Sequence, residues 1–221
     1  MLRKVRVWDA PTRWFHWLLT LAVIALVVTA KIGGSAMEWH FRLGYSVLAL
    51  LLFRLVWGVL GGHWSRFSSF LYKPQDIVQY LRGQPSQDHR VGHNPVGALS
   101  VFALLGVLLL QSLSGLISDD EIAATGPFTH LVSGEWVSTA TWYHADIGQY
   151  MLMALVALHV AAILFYWFKK KENLVQPMLT GDKLLDFPAR SSSDRARDRV
   201  KALIVLGVSA GSVIGALKWL G

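Results

Sequence analysis

Five predominantly apolar stretches, each about twenty residues long, dominate the chain: 14–32, 39–60, 95–117, 142–168 and 202–220. A hydrocarbon core about 30 Å thick is crossed by ~20 apolar residues rising 1.5 Å each. Backbone polar groups find no water there, so each stretch must close its hydrogen bonds within itself, as a helix. The expected fold is all-α, a transmembrane helical bundle. The first stretch has the basic start of a signal peptide but is expected to remain as a span. The chain is 53% hydrophobic and only 16% charged, whereas soluble domains carry about a quarter of their residues as charges.

Lysine and arginine sort by loop. Arg3, Lys4, Arg6 and Arg13 precede or open the first stretch, and Arg66, Lys73, Arg82 and Arg90 follow the second. Lys169, Lys170, Lys171, Lys183, Arg190, Arg195, Arg197, Arg199 and Lys201 follow the fourth. Residues 118–141 hold no lysine or arginine but carry Asp119, Asp120, Glu121 and Glu135. The bias predicts a bacterial inner-membrane protein with a cytoplasmic N-terminus and, after five spans, a periplasmic C-terminus. It also assigns the net charge of +7 to topology. The expected partner is membrane lipid, with no nucleic acid. Ten tryptophans, many near the ends of the stretches, match the aromatic belt of an interface. Residues 184–201, polar and rich in serine and charge, read as a cytoplasmic linker before a C-terminal helix over 202–221.

Cysteine is absent, which excludes disulfides, iron–sulfur clusters, thiolate zinc sites and covalent c-type haem. Histidine, carboxylate or methionine remains as a metal ligand. His144 and His159 stand fifteen residues apart in the fourth stretch, about 22 Å along a helix and within roughly 60° of one face. His40 opens the second stretch and His16 lies near the start of the first. By depth they sort into two layers, His40 with His144 outside and His16 with His159 inside. Two imidazoles on facing helices suit the axial positions of a haem b. A buried intramembrane histidine is a functional signal in its own right, although a proton relay or a metal permease would also use one.

Gly44 and Gly148 each follow a histidine by four residues, leaving room for a flat cofactor or for close helix packing. Arg42 and Arg54 lie near the outer and inner layers. Each could pair with a haem propionate, and Arg54 could equally snorkel to headgroups. Gly207, Gly211 and Gly215 form a small-residue stripe, which predicts close packing on the core or on a second copy as a homodimer.

The segments VWDAPTRWFHW (7–17), WHFRLGY (39–45), RLVWGVLGGHWSRFSSF (54–70), GHNPVGALSV (92–101), LLLQSLSGLISDDE (108–121), YHADIGQYMLMALVALHVAAILFY (143–166) and NLVQPMLTGDK (173–183) resemble the bacterial di-haem cytochrome b561 family. The branch they are most similar to is that of the cytochrome b subunit of nickel–iron hydrogenases. The resemblance implies a four-helix haem-binding core within 1–183, with the C-terminal helix outside it. It implies two b haems on His16, His40, His144 and His159, and electron exchange with the quinone pool of a respiratory chain.

The expected function is electron carriage between quinone and a redox partner, a soluble cytochrome or a dehydrogenase subunit. The acidic loop 118–141 suits a basic partner. A superoxide:quinone oxidoreductase is the alternative, for which Lys31 and Arg42 could form a local anion funnel; a haem-free permease is a third reading. Quinone is expected at the inner side, near Arg13, His93 and Asn94. In GHNP, Asn94 and Pro95 also read as an N-cap followed by proline at the first helical position.

Overall fold

The computed structural model describes residues 2–122 and 124–221. Its helices are α1 Ala10–Ile32, α2 Met37–Leu60, α3 Pro74–Leu81, α4 Pro95–Leu116, α5 Gly134–Trp142, α6 Gln149–Phe168, α7 Val175–Thr180 and α8 Ala196–Leu220. Strands β1 Arg3–Arg6 and β2 Asp182–Leu185 accompany them, with short 3₁₀ turns and one π-turn between helices. All five apolar stretches are helical, and α1, α2, α4, the α5–α6 run and α8 are long and apolar enough to cross a membrane. Leu21 and Ile24 on α1 and Leu203 and Val208 on α8 stand exposed, as side chains do where the solvent is lipid tail.

The chain divides into two compact units. The first comprises Met1–Phe15, Arg54–Ala103 and Ala157–Ile204. In it β1 pairs antiparallel with β2, from Arg3↔Leu185 to Arg6↔Asp182. A core of Val5, Val7, Trp8, Trp64, Val91, Leu185 and Phe187 packs beneath. The α1 helix begins at Ala10, four residues ahead of the apolar stretch, because Asp9 caps it. Asp9 Oδ1 accepts the Thr12 amide at 2.9 Å, and Pro11 in the first turn lacks only an N–H the helix would leave unused.

Residues 184–201, expected as a linker, are built into this unit. Phe187 lies in the core. The Ser192 amide donates to the Arg6 carbonyl at 2.7 Å, and its hydroxyl donates to the Val7 carbonyl at 2.7 Å. Asp194 accepts from Arg6 at 2.7 Å, from Arg199 at 3.2 Å and from the Ala10 amide at 3.1 Å. Burial works against its ionisation, but these donors and the Arg199 and Arg6 charges outweigh it and hold the carboxyl below its usual range. The α8 helix starts at Ala196 rather than 202, its first turn being charged and therefore invisible to an apolar pattern.

The second unit comprises His16–Phe53, Leu104–Val156 and Val205–Gly221. Its core is Ala22, Val47, Leu51, Val107, Leu108 and Leu152, flanked by leucines and valines of α1, α4 and α6. The stretch expected as one helix from 142 is broken at its start: α5 passes into a π-turn, Tyr143–Gly148, before α6 begins. On α8, Ser209 and Val213 are buried. The glycines of the stripe face open space, since a side chain at Gly207, Gly211 or Gly215 would meet nothing within 4 Å. The stripe is therefore not the face that packs within the unit.

Candidate functional site

His40 on α2 and His144 in the π-turn meet in the second unit. Their ring centroids are 6.2 Å apart and their planes cross at 88°. Each ring is held from behind. His40 Nδ1 lies 3.1 Å from the Leu26 carbonyl and 3.3 Å from Thr29 Oγ1. His144 Nδ1 lies 2.9 Å from the Gln111 carbonyl and 3.3 Å from Ser114 Oγ. A backbone carbonyl only accepts, so in both rings Nδ1 carries the proton and Nε2 is left as the lone-pair donor. This carbonyl-backed tautomer is how proteins orient metal-binding imidazoles.

The spacing also fits a shared ion. Metal–nitrogen bonds of about 2.1 Å on each side, plus roughly 1.1 Å from nitrogen to ring centre, separate two centroids by ~6.4 Å. A side chain at Gly44, one turn beyond His40, would meet nothing within 4 Å, so this helix face is open beside the pair. Gly148 is different: a Cβ there would run into the Gln111 side chain and the Tyr143 ring, which makes it a packing glycine. Arg42 is exposed, paired with Glu38 and lying 5.2 Å over the Trp39 ring.

His16, on α1 in the second unit, and His159, on α6 in the first, are both half-buried. Arg54 is 3% exposed, with its Cζ 4.6 Å over the Phe67 ring. Its Nη1 has no hydrogen-bond partner among the described residues. A buried guanidinium with a donor to spare suits an anionic group such as a propionate.

Of the expected quinone residues, Arg13 donates to the Leu179 carbonyl at 2.5 Å and lies 4.0 Å from Asp194. His93 is sandwiched between Trp8 and Phe70, at 4.6 and 4.5 Å. Asn94 is the N-cap of α4, its Oδ1 accepting the Gly97 amide at 2.8 Å. Its Nδ2 donates to the Tyr166 hydroxyl at 2.8 Å, and Tyr166 is hydrogen-bonded to Tyr80. Tyr72 donates to the His93 carbonyl at 2.7 Å. Burial first, then the charges of Asp88 and Asp76, pushes its pKa up to about 12, so it remains a neutral donor. His93, Asn94, Tyr72, Tyr80 and Tyr166 thus form one polar–aromatic cluster, while Arg13 is committed elsewhere. His63, in the loop after α2, has its pKa lowered by burial and by Arg190 and Arg66.

Two residues matter more than their sequence context suggested. Asp9 is 0% exposed and accepts from Trp57 Nε1 at 3.2 Å, the Gly62 amide at 2.7 Å and Ser65 Oγ at 3.1 Å. An Asp just before Ala-Pro at a helix start is a readable cap signal. Gln111 is a lone amide in an apolar helix, and its Nε2 donates to the His144 carbonyl at 2.8 Å. Its isolation within LLLQSL is the signal that could have found it.

The family model described as prokaryotic cytochrome b561 matches residues 7–181. The chain is 27% identical to a "Probable Ni/Fe-hydrogenase B-type cytochrome subunit" of Cupriavidus necator, covering 81% of this chain and 87% of that protein. It is 25% identical to a protein of the same description from Azotobacter chroococcum, covering 80% and 87%. It is 24% identical to the "Probable Ni/Fe-hydrogenase 1 B-type cytochrome subunit" of Escherichia coli K12, covering 86% and 95%.

Proposed function

The chain belongs to the prokaryotic cytochrome b561 family of multi-pass, b-type electron-transfer cytochromes, and from that premise we propose that it carries electrons between the quinone pool and a redox partner protein through two bis-histidine b haems. On this reading His40 and His144 would hold one haem, and His16 and His159 are the histidines left to hold a second. The observation that carries this reading is the His40–His144 pair, with its centroid spacing and two carbonyl-backed Nδ1 atoms.

When bound, haem b would supply one-electron chemistry, with histidine imidazoles as the residues that would hold it. The protein's own part is to orient and to insulate. The Leu26 and Gln111 carbonyls fix the tautomers, and the apolar core around Leu51 and Leu108 keeps water out. Arg54, buried with a spare donor, would pair with a haem propionate. The chain sits in the bacterial inner membrane with its N-terminus cytoplasmic, and quinone approaches the cluster of His93, Asn94 and Tyr166. The relatives are named as hydrogenase subunits, which supports a protein partner here. The acidic outer loop suits one with a basic docking face.

The test is the optical spectrum of the purified protein. It should show a reducible b-type α-band, about half of which is lost in His40→Ala. A protein without that band, or a His40→Ala variant that keeps all of it, overturns the assignment.

A further inference from the structure

His144 is the second residue of the π-turn Tyr143–Gly148. Such turns are rare, because their i→i+5 bonds are poorly directed, and they concentrate at functional positions. This one is held from outside its own backbone by two glutamine amides. Gln111 Nε2, reaching from α4, donates to the His144 carbonyl at 2.8 Å. Gln149 Nε2 donates to the Ala145 carbonyl. A carbonyl oxygen has two lone pairs, so each amide adds to whatever the backbone supplies.

Gln111 grips His144 twice. Its side chain holds the His144 main chain, while its main-chain carbonyl holds the His144 ring at Nδ1, 2.9 Å away. The two bonds run in opposite senses between residues 33 positions apart, so they fix both the place of the His144 backbone and the rotation of its imidazole. The surrounding space is cut to match. A Cβ at Gly115 would stand 2.8 Å from His144 Cε1, and one at Gly148 would collide with Gln111 Oε1. Neither glycine admits a side chain without disturbing the grip.

We propose that Gln111, assisted by Gln149, is a positioning residue that holds the π-turn and thereby sets the crossed orientation of the His144 ring against His40. The proposal rests on the reading that these two histidines share one haem iron. Relaxing the π-turn to α geometry removes the room for one extra residue, which is worth about 100° of rotation. The ring would then leave the Gln111 carbonyl and its 88° angle to His40. That angle has its own spectroscopic signature. Crossed imidazole planes leave two iron d orbitals nearly degenerate and give a strongly anisotropic low-spin ferric signal with one large g value. Planes closer to parallel split those orbitals and give an ordinary rhombic signal.

The experiment is electron paramagnetic resonance of the purified full-length protein and of Gln111→Met, which keeps the side-chain length but has no amide donor. The expected result is unchanged haem content with loss of the large-g feature. It is replaced by a rhombic signal or, where the ring lets go, by a high-spin signal and carbon monoxide binding in the reduced state. If Gln111→Met does not accumulate, Gln149→Met decides, with a smaller shift in the same direction expected. A large-g signal that persists unchanged in whichever variant accumulates overturns the proposal. A wild-type protein with no low-spin signal overturns the shared-ligand reading beneath it, and the two failures are therefore distinguishable.

Discussion

The imidazole centroids of His40 and His144 lie 6.2 Å apart with their planes crossed at 88°. They come from α2 and from the π-turn ahead of α6, and each is backed by a carbonyl of a different helix, Leu26 of α1 and Gln111 of α4. Three helices and the π-turn therefore contribute to one pair of rings. Nothing in this arrangement needs His159, which separates the two candidate haem sites experimentally. His159→Ala should lose about half of the b-type absorbance while the large-g ferric signal stays. Absorption and paramagnetic resonance on the same sample check this, and loss of the large-g signal would break the pairing by layer.

Asp9 is a fully buried carboxylate with donors from Trp57, Gly62, Ser65 and Thr12. Removing it leaves several buried donors unsatisfied, each worth about 1–3 kcal/mol. Asp9→Ala should destabilise the protein by at least ~3 kcal/mol, read as a lower thermal midpoint in detergent. Asp9→Asn should be milder, because its amide oxygen can still cap α1.

Asp194 has a carboxyl pKa depressed in the folded protein. A depressed pKa contributes stability above the unfolded value, about 3.9 for aspartate, and that contribution disappears as pH falls through the folded value. Asp194→Asn should lower the thermal midpoint at neutral pH and flatten its fall in acid below about pH 4. Parallel melting curves of variant and parent from pH 7 to 3 would contradict this.

Asn94 caps α4 with its oxygen and serves Tyr166 with its nitrogen. Serine keeps the first role and drops the second. Asn94→Ser should hold stability within ~0.5 kcal/mol while slowing reduction of the protein by a quinol several-fold. A fall in stability with unchanged quinol kinetics would make Asn94 a cap and nothing more.

The spans were legible because lipid imposes a length and a composition on the helices that cross it. The edges were less so. The starts of α1 and α8 are polar: Asp9 caps the first, and Asp198, in the first turn of the second, accepts the Arg195 amide. The candidate ligands His40 and His144 were legible because an imidazole in an apolar helix is costly without a partner. The π-turn that carries His144 was not, since its bond from Gln111 Nε2 spans 33 positions and no local pattern encodes it. Residues 184–201 look like a solvated tether by composition. They are ordered by long-range bonds from Ser192 to Val7 and from Asp194 to Arg6, which no local pattern announces.

The β1–β2 pairing also has a consequence in time. Arg6 and Asp182 are separated by 176 positions. At a synthesis rate of roughly 5–20 residues per second, β2 leaves the ribosome about 9–35 s after β1. Through that interval the basic N-terminal segment is without its acidic partners Asp182 and Asp194, as the first four apolar stretches are made. The ribbon that closes the first unit is begun early and finished late, so the order of translation and the order of assembly run opposite ways at this end of the molecule.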